Sequence, residues 1–112
     1  MIIFANQMKE ESDTSGFGNF TVKTLLQREN LYPNAKKVAL VKIMSGNAVD
    51  FHIHTGDMDA YIIVSGRGIY SDNGLEKEIS EGDVCIAFDG EGHAIRPLEG
   101  ETLQFIAIMN EI

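Results

Sequence analysis

The sequence has one cysteine, Cys85, no tryptophan and only two prolines among its 112 residues. With a single cysteine the chain cannot form an internal disulfide, which is typical of proteins in a reducing compartment. Its first residues, MIIFANQMKEESD, contain neither the basic segment nor the long apolar segment of a signal peptide. We therefore expect a cytoplasmic protein.

Basic residues are also few, since 9 Lys and Arg stand against 17 Asp and Glu and the net charge is −8. An acidic surface repels phosphate backbones and anionic lipids, so we expect neither nucleic acid nor a membrane as a partner. No stretch approaches the ~20 apolar residues that a spanning helix needs. The length and the ordinary 44% hydrophobic content predict one globular domain over residues 1–112.

Helix signals are weak, whereas strand signals recur along the chain. Asn73-Gly74 lies between two strand-like arms and predicts a hairpin, because both central residues of a type I′ turn need a positive φ. Short strands with frequent glycine-containing breaks predict an all-β sandwich or barrel. The remaining strand-like runs are 36–44, 60–66, 83–88, 93–98 and 102–109.

Two segments near the amino terminus are less clear. Residues 21–30, TVKTLLQREN, fit a helical turn or a strand equally well, because the run begins with β-branched residues. Residues 11–20 are polar and contain glycine, which predicts a loop.

Only three histidines are present, and two of them stand two residues apart in FHIHTGDMDAYIIVSGRG. Side chains at i and i+2 of a strand share a face, so His52 and His54 point the same way. Asp59 begins the next strand, and His93 follows a glycine-rich turn. Each residue alone is more simply a surface or core side chain, but together they would form a divalent transition-metal site inside a barrel.

The spacing of glycines around these residues resembles the two motifs of the cupin superfamily. The first runs over residues 46–66, from Gly46 through His52, His54 and Asp59 to Gly66. The second runs over residues 82–93, from Gly82 through Phe88 and Gly90 to His93. All three histidines of the chain fall on motif positions.

The resemblance implies a double-stranded β-helix, or jelly-roll barrel, that holds Mn, Fe, Ni, Zn or Cu on His52, His54, Asp59 and His93. Asp59 stands where the family usually has Glu, and Phe88 where it usually has Pro. The implied function is a metal-dependent enzyme of oxygenase or isomerase type acting on a small organic molecule. The alternative is a non-catalytic module that binds a sugar or another small molecule, because a fold does not fix a function.

Strand alternation predicts which side chains line the interior. If Asp59 points inward, Tyr61 and Ile63 do too. On the last strand Gln104 is expected to face outward, and Met44 is expected to border the metal. The other residues expected inside are Leu103, Phe105 and Ala107.

Three further residues have both an ordinary and a functional interpretation. Tyr61 could donate a hydrogen bond to a metal-bound molecule as a catalytic residue, although a core tyrosine is the simpler interpretation. Arg96 could pair with a substrate carboxylate, but we favour a solvated surface arginine. Cys85 lies in an apolar strand without a cationic neighbour in sequence, so we expect a buried, inert thiol.

The apolar start MIIFA is a candidate strand with an open edge, which predicts a homodimer formed by pairing or exchange of amino-terminal strands. The mainly apolar interior and the net charge of −8 favour a small neutral or weakly polar ligand that binds the metal directly.

Overall fold

The structure, a computed structural model, describes residues 1–31 and 33–111, and strand dominates this part of the chain. Helix there is confined to two three-residue 3-10 turns, Ala5–Gln7 and Arg28–Asn30, neither of which could cross a bilayer. The strands are β1 (Glu10–Ser12), β2 (Thr21–Gln27), β3 (Ala35–Ile43), β4 (Val49–Ile53), β5 (Asp57–Ser65), β6 (Arg67–Asp72), β7 (Leu75–Ser80), β8 (Val84–Ala87), β9 (Gly92–Pro97) and β10 (Leu103–Glu111).

The strands form two antiparallel sheets. One has six strands in the order β1-β2-β3-β10-β5-β8, and the other has four in the order β4-β9-β6-β7. Strands distant in the chain are neighbours in both sheets, as in a jelly roll. The prediction of an all-β jelly-roll barrel is therefore confirmed.

The individual strand predictions agree with the structure to within a few residues. The runs 36–44, 60–66, 83–88, 93–98 and 102–109 correspond to β3, β5, β8, β9 and β10. The β6–β7 hairpin turns at Asn73 and Gly74, both of which have a positive φ, as the sequence predicts. Of the two alternatives for residues 21–30, the strand is correct as far as Gln27.

One prediction for the amino-terminal region is wrong, and another, the loop over residues 11–20, is correct apart from residues 11–12 and the bridge at Gly18. Met1–Phe4 form no strand, and the segment continues into the 3-10 turn Ala5–Gln7. The predicted loop over 11–20 begins with the end of β1, which pairs with β2, and its Gly18 bridges Val49. The composition of this polar segment does not favour a strand. Part of it is regular because it pairs with β2 and β4.

The core lies between the sheets and follows the predicted alternation. Leu103, Phe105 and Ala107 are at most 1% exposed, whereas Gln104 is partly exposed. Ile63 and Tyr61 are buried on the neighbouring strand β5. Inward side chains of β5 and β10 therefore pack together along a shared ladder.

One glycine shows why the turn before β6 needs this residue type. Gly66 has φ +87°, and a Cβ there would lie 2.2 Å from the carbonyl oxygen of Thr102. Any other residue would strain the backbone and collide with the start of β10. This turn fixes where β5 ends and so helps to set the register of the sheet that carries Asp59.

Candidate metal centre

The two motifs meet through strand pairing in the four-stranded sheet. His52 on β4 is the direct cross-strand partner of His93 on β9, and their Nε2 atoms are 3.2 Å apart. Residues opposite each other on an antiparallel pair share a face. The register of β4 and β9 thus brings together residues that are 41 positions apart.

His54 lies just beyond the end of β4 and is held by the turn before β9. Its backbone N–H donates to Glu91 O at 2.9 Å, and its carbonyl accepts from the N–H of Gly90 at 2.8 Å. These bonds place the His54 ring against His93, with the two Nε2 atoms 3.0 Å apart. His54 is 8% exposed and His93 1%.

Asp59 reaches the same point from the other sheet. Its Oδ2 lies 3.0 Å from His54 Nε2 and 3.4 Å from His93 Nε2. Its Oδ1 is buried and has no hydrogen-bond partner within the part of the chain that the structure describes. A buried carboxylate oxygen without a partner is costly, so this atom is suited to a cation.

The ring orientations leave nitrogen lone pairs facing inward. His52 Nδ1 donates to the carbonyl oxygen of Asp50, and His54 Nδ1 donates to the carboxylate of Asp57, each at 2.8 Å. Because those acceptors require a proton on Nδ1, both Nε2 atoms are unprotonated in the neutral rings. Converging lone pairs repel one another unless a proton or a cation lies among them.

His93 is held on its outer side by Tyr70, whose hydroxyl oxygen is 2.9 Å from His93 Nδ1. Burial lowers the pKa of His93, although the carboxylate of Asp59 acts in the opposite direction. A lowered pKa keeps the imidazole neutral, which is the form that binds a metal.

These observations agree with the chemistry of a metal site. The four donor atoms of His52, His54, Asp59 and His93 all lie within 4.8 Å of one another. Imidazole nitrogens with one carboxylate suit first-row divalent transition metals. The residues present therefore fit a metal ion, and the predicted set is brought together without exception.

Tyr61 lies beside this cluster. Its ring stacks on His93 with centroids 4.9 Å apart, and its hydroxyl is 3.4 Å from His93 Nε2. Burial, reinforced by the charge of Asp59, raises the pKa of Tyr61 well above its usual range. The phenol therefore remains protonated at neutral pH and can donate a hydrogen bond.

A cavity of about 390 Å³ is lined by three of the four donor residues, His52, His54 and Asp59. Its walls are mainly apolar and include Val41, Ile53 and Phe105. Phe17, which is half exposed, lies along the same cavity with its ring centroid 5.0 Å from that of His52. The space is large enough for a small organic molecule next to the donors.

Several contacts around the site were not foreseen from the sequence. Asp57 makes two of these contacts. One carboxylate oxygen accepts from His54 Nδ1, and the other pairs with Lys36 at 3.1 Å. Burial alone would raise the pKa of Asp57, but the hydrogen bonds and charges of His54 and Lys36 outweigh it and lower the pKa. Tyr70, which contacts His93, and Phe17, which lies against His52, were not foreseen either. Of these residues, only Asp57 could have been suspected from the sequence, because it follows His54 by three residues.

The structure decides the remaining single-residue predictions. Met44 does not border the donors, because it is half exposed and lines a separate surface pocket with Lys42 and Asn47. Arg96 is exposed and pairs with Glu76 across the surface, as expected. Cys85 is buried, and burial raises the pKa of its thiol to about 11, which agrees with an inert residue.

Comparison with known proteins identifies the fold family. Residues 39–109 match the model of the cupin domain. An oxalate-binding protein of Thermotoga maritima is 34% identical over 94 residues, which are 84% of this chain and 78% of that protein.

Two solved structures give the same result in three dimensions. A protein of Thermotoga maritima described as a predicted oxalate decarboxylase is 29% identical, with a TM-score of 0.88 over the full length of both chains. A cupin-like protein of the same organism is 26% identical, with a TM-score of 0.76 over 89% of this chain and 75% of that one. The chain belongs to the cupin family, and its cluster of three histidines and one aspartate could hold a metal ion.

Proposed function

We propose that the protein binds one divalent transition metal through His52, His54, Asp59 and His93, and that a small organic molecule binds this metal inside the cavity. The supporting observation is that one donor atom of each of these four residues lies within 4.8 Å of the others. The second carboxylate oxygen of Asp59, Oδ1, is buried and has no hydrogen-bond partner among the described residues. Mn, Fe, Ni, Zn and Cu are all compatible with this donor set.

The bound metal would supply Lewis-acid polarisation of a ligand oxygen. The protein's own residues orient the rings, exclude water and provide a proton donor. Asp50, through its carbonyl, and Asp57, through its carboxylate, fix the rings of His52 and His54. The apolar walls limit polar anchoring elsewhere in the cavity, so a ligand depends on the metal for its orientation.

The ligand class proposed is a small molecule with closely spaced oxygen donors, and oxalate is the first probe. One relative is named an oxalate-binding protein. Among the described residues along the cavity, Lys37 is the one lysine or arginine, and Asp13 and Asp57 also lie there. Because the walls offer little net positive charge, an anion would be held by the metal. A neutral oxygen ligand, as the sequence alone favours, would bind at the same positions.

Two functions share this site, and each has an observation in its favour. Catalysis of oxygenase or isomerase type is favoured by Tyr61, a protonated hydroxyl beside His93 that could donate to a metal-bound molecule. Binding without turnover of a small molecule, a sugar included, is favoured by the name of the oxalate-binding relative. Tyr61→Phe separates the two, because it removes only the hydroxyl.

The test begins with metal analysis of protein purified without an affinity tag. The metal-free protein is then reloaded separately with Mn, Fe, Ni, Zn and Cu, and oxalate binding is measured by calorimetry with and without metal. We expect about one metal per chain and oxalate binding only to the loaded form. Asp50→Asn is the matched control, since it changes an acid near His52 but leaves the backbone carbonyl in place.

Two results would contradict the proposal. The first is the absence of metal binding after incubation with all five metals. The second is equal affinity for oxalate with and without metal. Turnover of a ligand by wild type, lost in Tyr61→Phe while the metal is kept, would favour the enzyme over the binding module.

The proposal also takes residues 1–112 as one cupin domain in a cytoplasmic protein. Strands β1 and β2 precede the matched residues 39–109 yet extend the same six-stranded sheet. The single thiol, Cys85, is free and buried, as suits a reducing compartment. The acidic charge of −8 argues against nucleic acid and membranes as partners.

A homodimer is part of the same proposal, but through a sheet face and not through an amino-terminal strand. On the outer side of β5 and β8, Ile62, Val64, Val84 and Ile86 are between 37% and 58% exposed. Strand pairing places these side chains next to one another. Apolar residues continue along the same side of β10 and β3, at Ile106, Ile108, Leu40 and Val38.

A second copy of this chain is the partner that suits this face. A net charge of −8 makes two copies repel each other at their acidic surfaces, whereas an uncharged apolar face carries no such penalty. Large exposed apolar patches mark interaction sites, and homodimer interfaces are the more apolar class.

A further inference from the structure

We propose that Asp57 is a positioning residue for the metal centre: it holds the His54 ring with Nε2 facing the other donors, and Lys36 in turn holds Asp57. This inference rests on the proposed metal binding for its consequence. The inference is based on three side chains in contact, Lys36, Asp57 and His54, which lead from the protein surface to the candidate metal centre.

The contacts are specific to the two oxygens of one carboxylate. Asp57 Oδ1 accepts from His54 Nδ1 at 2.8 Å, and Asp57 Oδ2 accepts from Lys36 Nζ at 3.1 Å. With both oxygens engaged on opposite sides, the carboxylate cannot rotate without breaking a bond. The His54 ring is therefore restrained at its outer nitrogen while its inner nitrogen faces Asp59 Oδ2.

The backbone around Asp57 is also fixed. Asp57 begins β5 three residues after His54, and the intervening Gly56 has φ +79°. The N–H of Gly56 donates to Asp89 Oδ1 at 2.8 Å, which ties this turn to the segment before β9. Asp57 thus sits on a rigid strand end and not on a free loop, as a positioning residue requires.

Burial gives the contact its strength. The side chains of Asp57 and Lys36 are 21% and 35% exposed, and that of His54 is 9% exposed. A charge-assisted hydrogen bond in a partly dry environment is stronger than one in water. A histidine that donates its outer N–H to a carboxylate is also the more basic ligand at its inner nitrogen.

Among the three rings, His54 is the one whose outer partner is a charged side chain. His52 donates to a backbone carbonyl, that of Asp50, which substitution does not remove. His93 meets the hydroxyl of Tyr70. Asp57 is therefore the position at which one substitution alters the charge behind a ligand and leaves all four donors in place.

The experiment compares wild type with Asp57→Ala, Asp57→Asn and Lys36→Met. Glu111→Gln is the matched control, because Glu111 is the cross-strand partner of Asp57 and its carboxylate pairs with Arg28 at the surface. Affinity for Zn²⁺ is measured by competition with a chelator, and the Co²⁺-loaded forms are compared by visible absorption. Ring tautomers of the metal-free proteins are assigned from ¹⁵N shifts.

We expect Asp57→Ala to weaken Zn²⁺ binding by about 10–100-fold. Its His54 ring should lose the single Nδ1–H tautomer that the bond to Asp57 favours in wild type, and the Co²⁺ spectrum should change. Asp57→Asn keeps an acceptor and should lie between Ala and wild type. Lys36→Met should act in the same direction with a smaller effect, and Glu111→Gln should match wild type.

The outcomes separate this inference from the proposed function. If wild type binds metal and Asp57→Ala binds it equally, with the same tautomer and the same Co²⁺ spectrum, Asp57 has no positioning role. If wild type binds no metal, the proposed function fails, and the tautomers of the metal-free proteins alone decide whether Asp57 orients His54. Should Asp57→Ala not fold, Asp57→Asn and Lys36→Met carry the test, and wild-type behaviour in both would overturn the inference.

Discussion

His52 and His93 face each other across the β4–β9 ladder as direct partners, with their Nε2 atoms 3.2 Å apart. The two residues are 41 positions apart in the chain, so no local segment brings them together; the pairing of β4 with β9 does. The donor set therefore exists only when the four-stranded sheet has formed in the correct register. Metal binding should consequently stabilise the folded state, as it does wherever a site is absent from the unfolded chain.

Asp59 is expected to contribute less to metal binding than His54. The side chain of Asp59 is one methylene shorter than that of Glu and brings Oδ2 close to the histidines, while His54 Nε2 lies 3.0 Å from both Asp59 Oδ2 and His93 Nε2. Asp59→Ala should weaken binding of Zn²⁺ less than His54→Ala does, and Asp59→Glu should be tolerated or should strengthen binding. Calorimetry on the three variants measures this. Loss of binding in Asp59→Glu would show that the carboxylate does not act from this position.

The apolar face on β5 and β8 is expected to be buried in a dimer interface. Val84→Lys places a charge in that face and should shift the protein towards monomer in sedimentation experiments at micromolar concentration. Leu75→Lys is the matched control, because Leu75 is equally exposed but lies on β7 of the other sheet. A wild-type monomer, or a dimer that survives Val84→Lys, would contradict the proposed interface.

Adjacent residues on β10 should respond very differently to truncation. Leu103 is 0% exposed between the sheets, so Leu103→Ala removes buried methyl groups and should lower the free energy of unfolding by about 2–5 kcal/mol. Gln104 lies on the opposite side of the strand, and Gln104→Ala should change it by less than about 0.5 kcal/mol. Chemical denaturation of both variants provides the comparison. Similar losses would mean that the register of β10 is not as described.

Cys85 should be unreactive at neutral pH. Burial raises the pKa of the thiol to about 11 from an ordinary 9.0, so the thiolate fraction at pH 8 falls by about a hundredfold. Because the fold favours the protonated thiol, its contribution to stability is complete below pH 9.0 and is lost as the pH rises towards about 11. Reaction with a disulfide reagent, with and without denaturant, tests this; rapid labelling of the native protein at pH 8 would refute it.

Much of the architecture followed from local pattern. Alternation placed Leu103, Phe105 and Ala107 inside, because successive side chains of a strand point to opposite faces. Asn73-Gly74 located a hairpin, because few residue pairs accept two positive φ angles. The resemblance to the two cupin motifs indicated the four candidate donors. Alternation and turn signals depend on residues close together in the chain, and each motif is itself a short stretch, which is why these features could be predicted from the sequence.

Features that depend on residues far apart in the chain could not be predicted from local pattern. Met1–Phe4 are apolar enough for a strand, but they form none. Lys36 meets Asp57, and Tyr70 meets His93, only because β3, β5, β6 and β9 come together in three dimensions. No local pattern encodes such contacts, since they depend on strand order and register. Local pattern and motif resemblance thus indicated the strands and the four candidate donors, whereas strand order and register set which side chains surround and orient them.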